Sequence, residues 1–107
     1  MSVEFGFSDD EKEITAFLSG DIDHHSAKDM REEIDRIICE KMPCSLILDF
    51  SKVIFMDSSG IGLVIGRFKT IQDFNGSITV QNPPSHIRKV MKLAGIDKIA
   101  RITNSME

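Results

Sequence analysis

Apolar and polar residues alternate in two short runs at the start of the chain. The apolar positions of these runs are Val3, Phe5, Phe7, Ile14, Ala16 and Leu18. Asp9-Asp10 lies between the runs, where a turn is expected. The period of two predicts two β-strands joined as a hairpin.

Three later segments have helical spacing instead. Between Ser26 and Glu40, apolar residues recur at intervals of three and four while charged residues fill the other positions. The apolar positions there are Ala27, Met30, Ile34, Ile37 and Ile38. The same spacing recurs from about Ser58 to Phe74, before Asn75-Gly76, and again from Pro83-Pro84-Ser85 to Gly95. Each pattern predicts an amphipathic helix with turn residues at its ends.

Short apolar runs separate these helices. Ser45 to Phe50 is nearly continuous in apolar character, which predicts a central strand buried on both faces, followed by a short apolar loop. Further strands are expected at Ile78 and Val80 and at Ile99 and Ile102. The predicted order is β-β-α-β-α-β-α-β. This order indicates an α/β fold, a mixed β-sheet with helices packed on it and parallel neighbours across each helix.

Size and charge narrow the possible functions. The chain has 107 residues, which we expect to form one domain over residues 1–107. The net charge is −4, and 13 basic residues are scattered among 17 acidic ones without a basic stripe, so nucleic acid is an unexpected partner. Neither a membrane span nor a signal peptide is apparent, and we expect a cytoplasmic protein. Cys39 and Cys44 lack C-x-x-C or zinc spacing and are expected to be reduced.

The segment from Asp57 to Gly62 carries the strongest chemical signal. It reads Asp-Ser-Ser-Gly-Ile-Gly and follows the apolar Phe55-Met56, at the predicted start of a helix. A helix N-terminus presents free N–H groups and tolerates an anion. A simple helix cap by Asp57 or Ser58 accounts for the same residues by themselves. Local pattern alone therefore leaves both interpretations open.

Three other chemistries fit poorly. A serine hydrolase would place its serine in G-x-S-x-G, but Met56-Asp57 precedes Ser58. No G-x-x-x-x-G-K-[ST] pattern exists for nucleotide phosphates. The adjacent His24 and His25 have no further ligand at metal-binding spacing. We therefore expect no enzyme activity, no metal and no cofactor.

The segment from Phe55 to Gly62 resembles the phosphorylation-site signature of the bacterial STAS-domain anti-sigma-factor antagonists, in particular those of the sporulation sigma-F system. The similarity extends upstream to Ser19–His25 and downstream to Gly66–Lys69, so that nearly the whole chain is covered. Proteins of this family usually add a final helix after the last strand. Only Thr103–Glu107 remain here for it, so we expect a short helix or none.

The resemblance implies a mechanism. An unphosphorylated antagonist binds an anti-sigma factor that is itself an ATP-dependent serine kinase, which releases the sigma factor. Phosphorylation ends this binding, and a phosphoserine phosphatase restores it. Ser58 is the implied phosphoacceptor, and Ser59 is the alternative. The implied partner-binding residues are Asp21, Asp23, His24, Asp57, Ser59, Gly60 and Gly62.

Two other roles belong to the same fold. A STAS module can serve as a scaffold in a stress-signalling complex or as the cytoplasmic part of an anion transporter. The short chain disfavours the transporter. Stable binding to a large complex rather than to a small kinase would identify the scaffold. For Asp21 and Asp23, charge complementarity with a helix N-terminus is an equally good explanation.

Overall fold

The computed structural model describes residues 3–104, which form one α/β domain around a five-stranded mixed sheet. Strand order in the sheet follows the chain, and only the first pair is antiparallel. The elements are β1 (Val3–Phe7), β2 (Glu13–Ile22), α1 (His24–Lys41), β3 (Ser45–Met56), α2 (Ser58–Gln72), β4 (Ser77–Gln81), α3 (Ser85–Leu93), a 3₁₀ helix (Ile96–Lys98) and β5 (Arg101–Thr103). The predicted element order and mixed sheet are confirmed.

One face of the sheet carries the hydrophobic core. Ile14, Leu46 and Ile78 are neighbours across β2, β3 and β4, and all are buried. Helix α1 buries Met30, Ile34, Ile37 and Ile38, and α2 buries Leu63, Val64 and Ile71. Burial of these aliphatic side chains is the main stabilising contribution, at about 1.5–3 kcal/mol for each one fully buried.

The opposite face of the sheet is more polar. There Ile47 lies between Thr15 and Thr79, and all three side chains are only partly buried. β3 is central, as predicted, but the expectation that it is buried on both faces is wrong. The short apolar run resembles a strand covered on both sides, yet its neighbours on this face are threonines rather than apolar residues.

β3 is also longer than its sequence indicates. The predicted strand ended at Phe50 and continued as a loop, whereas the strand runs to Met56 and pairs there with Ile22. Register shifts near Ser19 and Gly20 accompany this extension, and Gly20 has a φ of 82°. Such bulges break the regular alternation of apolar residues, which is why the second half of the strand looked like a loop.

Other boundaries differ by a few residues. α1 begins at His24 rather than Ser26, and α2 ends at Gln72 rather than Phe74. The last strand contains Ile102, whereas Ile99 follows the 3₁₀ helix and lies outside it. The expected short or missing final helix falls on residues 103–107, of which 105–107 lie outside the described residues. No helix in the described part of the chain is long and apolar enough to cross a membrane.

Asp49 is a buried charge in the middle of β3. Its carboxylate accepts hydrogen bonds from the backbone and hydroxyl of Ser51, from Gln81 Nε2 at 2.8 Å and from Asn82 Nδ2 at 3.3 Å. Burial raises the pKa of this carboxyl group, but the hydrogen bonds from Gln81, Ser51 and Asn82 outweigh burial and hold the pKa below its usual value. The buried charge therefore connects the middle of β3 to the end of β4.

Candidate functional site

The start of α2 is built directly on the end of β3. Asp57 is the N-cap residue, and its carboxylate accepts a hydrogen bond from Ser59 N at 2.7 Å. Gly60 N donates to Asp57 O at 3.0 Å. Ser58 is the first helical residue, so the cap is Asp57 rather than the serine.

The two serines of this helix start differ in exposure. The Ser58 side chain is exposed, and among residues 3–104 no hydrogen bond engages its hydroxyl. Ser59 is partly buried and faces a groove between α1 and α2. A modifying enzyme therefore has freer access to the Ser58 hydroxyl, which extends from a helix N-terminus suited to negative charge.

The end of β2 lies beside this serine pair. Asp57 N donates a hydrogen bond to Ile22 O at 3.1 Å, and Asp21 pairs with Phe55 across the strands. These contacts place Asp21, Asp23 and His24 next to the start of α2. The fold thus brings together the two segments that the sequence analysis selected, although they are more than thirty residues apart.

Asp23 caps the N-terminus of α1. Its carboxylate accepts hydrogen bonds from His25 N and Ser26 N, and Ser26 Oγ accepts one from Asp23 N, which completes a capping box. The hydrogen bond from Ser26 N, together with those from His25 N and the Ser26 hydroxyl, lowers the pKa of Asp23 despite some desolvation. Asp21 is exposed, and its backbone oxygen accepts a hydrogen bond from the Ser26 hydroxyl.

Gly60 and Gly62 have different surroundings. A Cβ atom built on Gly60 would overlap the Met56 side chain, so any larger residue at this position would force Met56 to move. A Cβ atom on Gly62 would meet nothing within 4 Å. Close packing thus favours Gly60, whereas Gly62 leaves open space on the helix surface.

A groove beside this site was not found from the sequence. We call it the α1–α2 cleft, and its polar and small lining residues are His24, Lys28, Arg31, Ser59, Gly62 and Arg67. His24, Lys28 and Arg31 recur on α1 at intervals of four and three, a spacing that was readable in the sequence as one helix face. The contact of this α1 face with α2 could not be predicted from the sequence, because it depends on how the two helices pack.

Two apolar side chains near the same end of β3 are unusually exposed. Ile54 is 72% exposed and Phe55 is 52% exposed, although β-strand residues of this kind are usually covered. Phe55 stands beside Asp21, and the Ile54 carbonyl oxygen is 2.9 Å from His86 Nε2. The surface near Ser58 therefore contains exposed apolar area as well as carboxylates, as many partner-binding surfaces do.

The histidines and cysteines of the described residues form no cluster of metal-ligand type. In the stretch from Val3 to Asn104, no group of three or more His, Cys, Asp or Glu side chains is arranged to hold a metal ion. The His24 and His25 rings contact each other edge to face at 5.6 Å. Cys39 and Cys44 are exposed free thiols.

This chain is similar in sequence and fold to several known proteins. The family model of the STAS domain matches residues 11–107. A protein of Paenibacillus polymyxa named anti-sigma F factor antagonist is 36% identical over 87 residues, which cover 79% of this chain and 73% of that protein.

Two solved structures of the same fold match almost the whole chain. The anti-sigma factor antagonist SpoIIAA in its unphosphorylated form has a TM-score of 0.83 and 27% identity, with 97% of this chain and 90% of the other covered. The Bacillus cell fate determinant SpoIIAA in its phosphorylated form has a TM-score of 0.75 and 27% identity, with 97% and 93% covered.

Proposed function

The chain belongs to the STAS-domain family, and from this premise we propose that it acts as an anti-sigma-factor antagonist regulated by phosphorylation of Ser58. The observation that carries the proposal is the exposed Ser58 hydroxyl at the first position of α2, beside the end of β2. Relatives named as antagonists and SpoIIAA structures in both phosphorylation states support it.

The proposed partner is an anti-sigma factor that is also a serine kinase. In unphosphorylated form the chain binds this kinase, and the sigma factor is released. The kinase supplies the ATP, so the chain itself carries no catalytic group. When the Ser58 hydroxyl attacks the γ-phosphorus of that ATP, ADP leaves, the hydroxyl proton passes to a base of the kinase, and phosphoserine forms.

Residues around Ser58 take different roles in this proposal. Asp57 and Gly60 hold the serine in place, through the cap and the close contact with Met56. Asp21, Asp23 and His24 form the adjoining part of the binding surface, and Ser59 and Gly62 form its side toward the α1–α2 cleft. The protein acts in the cytoplasm, where a phosphoserine phosphatase restores the binding form.

Phosphorylation would end binding by a local change. It adds a charge of about −1.5 to −2 at the helix N-terminus, next to the Asp57 and Asp21 carboxylates. A partner surface shaped for a neutral hydroxyl would have to desolvate this charge. The backbone needs no rearrangement, because the helix N-terminus accepts the anion.

Incubation with an anti-sigma factor kinase and ATP tests the proposal. The wild-type protein with kinase and ATP should gain the mass of one phosphoryl group, as should Ser59→Ala. Ser58→Ala should gain none and should still bind the kinase. Full phosphorylation of Ser58→Ala would assign the site to Ser59. A pull-down that recovers a large complex and no kinase would favour the scaffold role.

A further inference from the structure

The α1–α2 cleft has the size of a small-molecule site. Its volume is about 390 Å³, within the range of roughly 300–1,000 Å³ in which proteins bind small ligands. It lies beside Ser59 on α2 and extends along α1 from His24 to Arg31. Gly62 lies on its wall, and the open space above this glycine keeps the cleft accessible.

Arg67 is the unusual residue of this cleft. Its side chain is 6% exposed, yet its Nη1 atom is buried without a hydrogen-bond partner among residues 3–104. Arg67 Nε lies 2.8 Å from Asp35 Oδ1, but the two atoms lack the alignment of a hydrogen bond. A buried guanidinium with an unused donor is costly, and an acceptor bound in the cleft that Arg67 lines would reduce this cost.

The charges that line the cleft also favour an anion. Lys28 and Arg31 form no salt bridge within the described part of the chain, and Asp35 is the carboxylate that faces Arg67. Burial lowers the pKa of Arg67, Asp35 opposes this change, and the positive charge of Arg31 lowers the pKa further. The mutual repulsion of two guanidinium groups would be relieved by an anion between them.

We propose that the α1–α2 cleft is a binding site for a phosphate oxyanion. Arginine donors match phosphate oxygens in pairs, lysine adds a point charge, and the Ser59 hydroxyl provides a neutral hydrogen-bonding group. The phosphate can come from a free phosphomonoester or from a phosphoryl group on Ser58, which lies one helical turn from Gly62. Both sources present the same oxygens to Arg31 and Arg67.

Titration with inorganic phosphate tests the site directly. In the unphosphorylated protein, saturable NMR shifts are expected for the amides of Ser59–Leu63 and for the Arg67 Nε–H group, which reports on its buried donors. Sodium chloride at matched ionic strength should not reproduce them. Unmoved signals at high phosphate concentration, or equal shifts with sodium chloride, would overturn the proposal.

Charge-matched variants of α1 locate the binding. Arg31→Gln should weaken phosphate binding about tenfold or more, because one charge-assisted hydrogen bond is worth about 1.5–3 kcal/mol. Arg36→Gln on the same helix removes the same charge but lies in a surface pair with Glu33 and Glu40, outside the cleft, and should bind as the wild type does. Equal weakening by both variants would show general electrostatic attraction and reject the site.

A third variant tests the cleft by shape alone. Gly62→Leu directs a side chain into open space and should abolish phosphate binding without loss of folding, which circular dichroism checks. Unchanged phosphate affinity in folded Gly62→Leu protein would contradict the proposed location.

The source of the phosphate is resolved with phosphoserine incorporated at position 58. If the Arg67 Nε–H signal moves in this protein and added phosphate has no further effect, the phosphoryl group of residue 58 occupies the cleft. If added phosphate still binds, the ligand is a free phosphate compound. If the Arg67 Nε–H signal moves neither with phosphoserine at position 58 nor with added phosphate, the proposed site is refuted.

Discussion

The two helices that meet at the site both have an aspartate as the N-cap residue, but the two caps make different hydrogen bonds. At the start of α1, the Asp23 carboxylate accepts two backbone hydrogen bonds, and Ser26 adds bonds to Asp23 N and Asp21 O. At the start of α2, the Asp57 carboxylate accepts one hydrogen bond, from Ser59 N. The serine of α1 is used inside its cap, whereas Ser58 of α2 points to solvent.

This difference shows how one kind of helix cap can serve two purposes. A fully used capping box leaves no hydroxyl for modification and fixes the strand-to-helix turn. A sparser cap leaves the first serine available, and its mechanical support comes instead from Gly60 against Met56 and from the Asp57–Ile22 backbone bond. We expect substitutions in the two caps to change mainly stability, and changes at Ser58 to change mainly partner binding.

The largest expected effect concerns binding at the start of α2. Phosphorylated protein and Ser58→Asp should bind the kinase more weakly than wild type and Ser58→Ala. For the phosphoprotein we expect a loss of about a hundredfold, or about 2.7 kcal/mol, because a partner surface shaped for a neutral hydroxyl would have to desolvate the added charge. Ser58→Asp should be intermediate because it carries less charge. Calorimetric titration into the nucleotide-loaded kinase measures this, and equal affinities for both phosphorylation states would exclude the switch.

The next effect concerns the support of α2. Gly60→Ala should lower the free energy of unfolding by about 1–3 kcal/mol, because its Cβ atom overlaps the Met56 side chain and forces it to move. The matched control Gly62→Ala places its Cβ atom in open space and should raise stability by about 0.5–1 kcal/mol. Urea denaturation compares the two, and a loss of stability in both would argue against the close contact.

Removal of each cap should give smaller effects of unequal size. Asp23→Ala and Asp57→Ala should both lower the thermal midpoint, since each leaves backbone N–H groups without an acceptor. Asp23→Ala should lower it further because two hydrogen bonds are lost instead of one. Differential scanning calorimetry gives the order, and a larger loss for Asp57→Ala would reverse our comparison.

The smallest effect is the pH dependence of the α1 cap. Hydrogen bonds lower the folded-state pKa of Asp23, so its stabilisation is present above the unfolded pKa of about 3.9 and is lost as pH falls through the folded value. Asp23→Asn keeps a capping oxygen without this titration. The stability difference between wild type and Asp23→Asn should therefore shrink below about pH 4, as acid unfolding would show. A constant difference would contradict the assignment.

Much of the fold could be predicted from local pattern, and the site from a short motif. Periods of two and of three to four residues, together with the apolar run of β3, predicted the five strands and the three α-helices, although not their exact bounds. The 3₁₀ helix at Ile96–Lys98 was not predicted. Local pattern failed where distant residues decide the structure. The burial of Asp49 depends on Gln81 and Asn82, and the second half of β3 depends on pairing with a bulged β2.

The site could be predicted only in part. The structure places the end of β2, with Asp21, Asp23 and His24, beside exposed Ser58, and the roles of these residues in phosphorylation and partner binding stay predictions. The basic lining of the α1–α2 cleft was missed, because Arg67 on α2 lies beside Arg31 only after the two helices pack. The sequence analysis therefore emphasised the carboxylates around Ser58 and overlooked the cations on its other side.

The strand order of the sheet, which equals the order along the chain, bears on how the protein forms during synthesis. Each new strand adds to the edge of the strand before it, and none must insert between two strands already paired. We expect β1 to β3 with α1 to assemble first, and α2 to dock when Asp57 N reaches Ile22 O. Ser58 would then acquire its surroundings before β4 and β5 leave the ribosome.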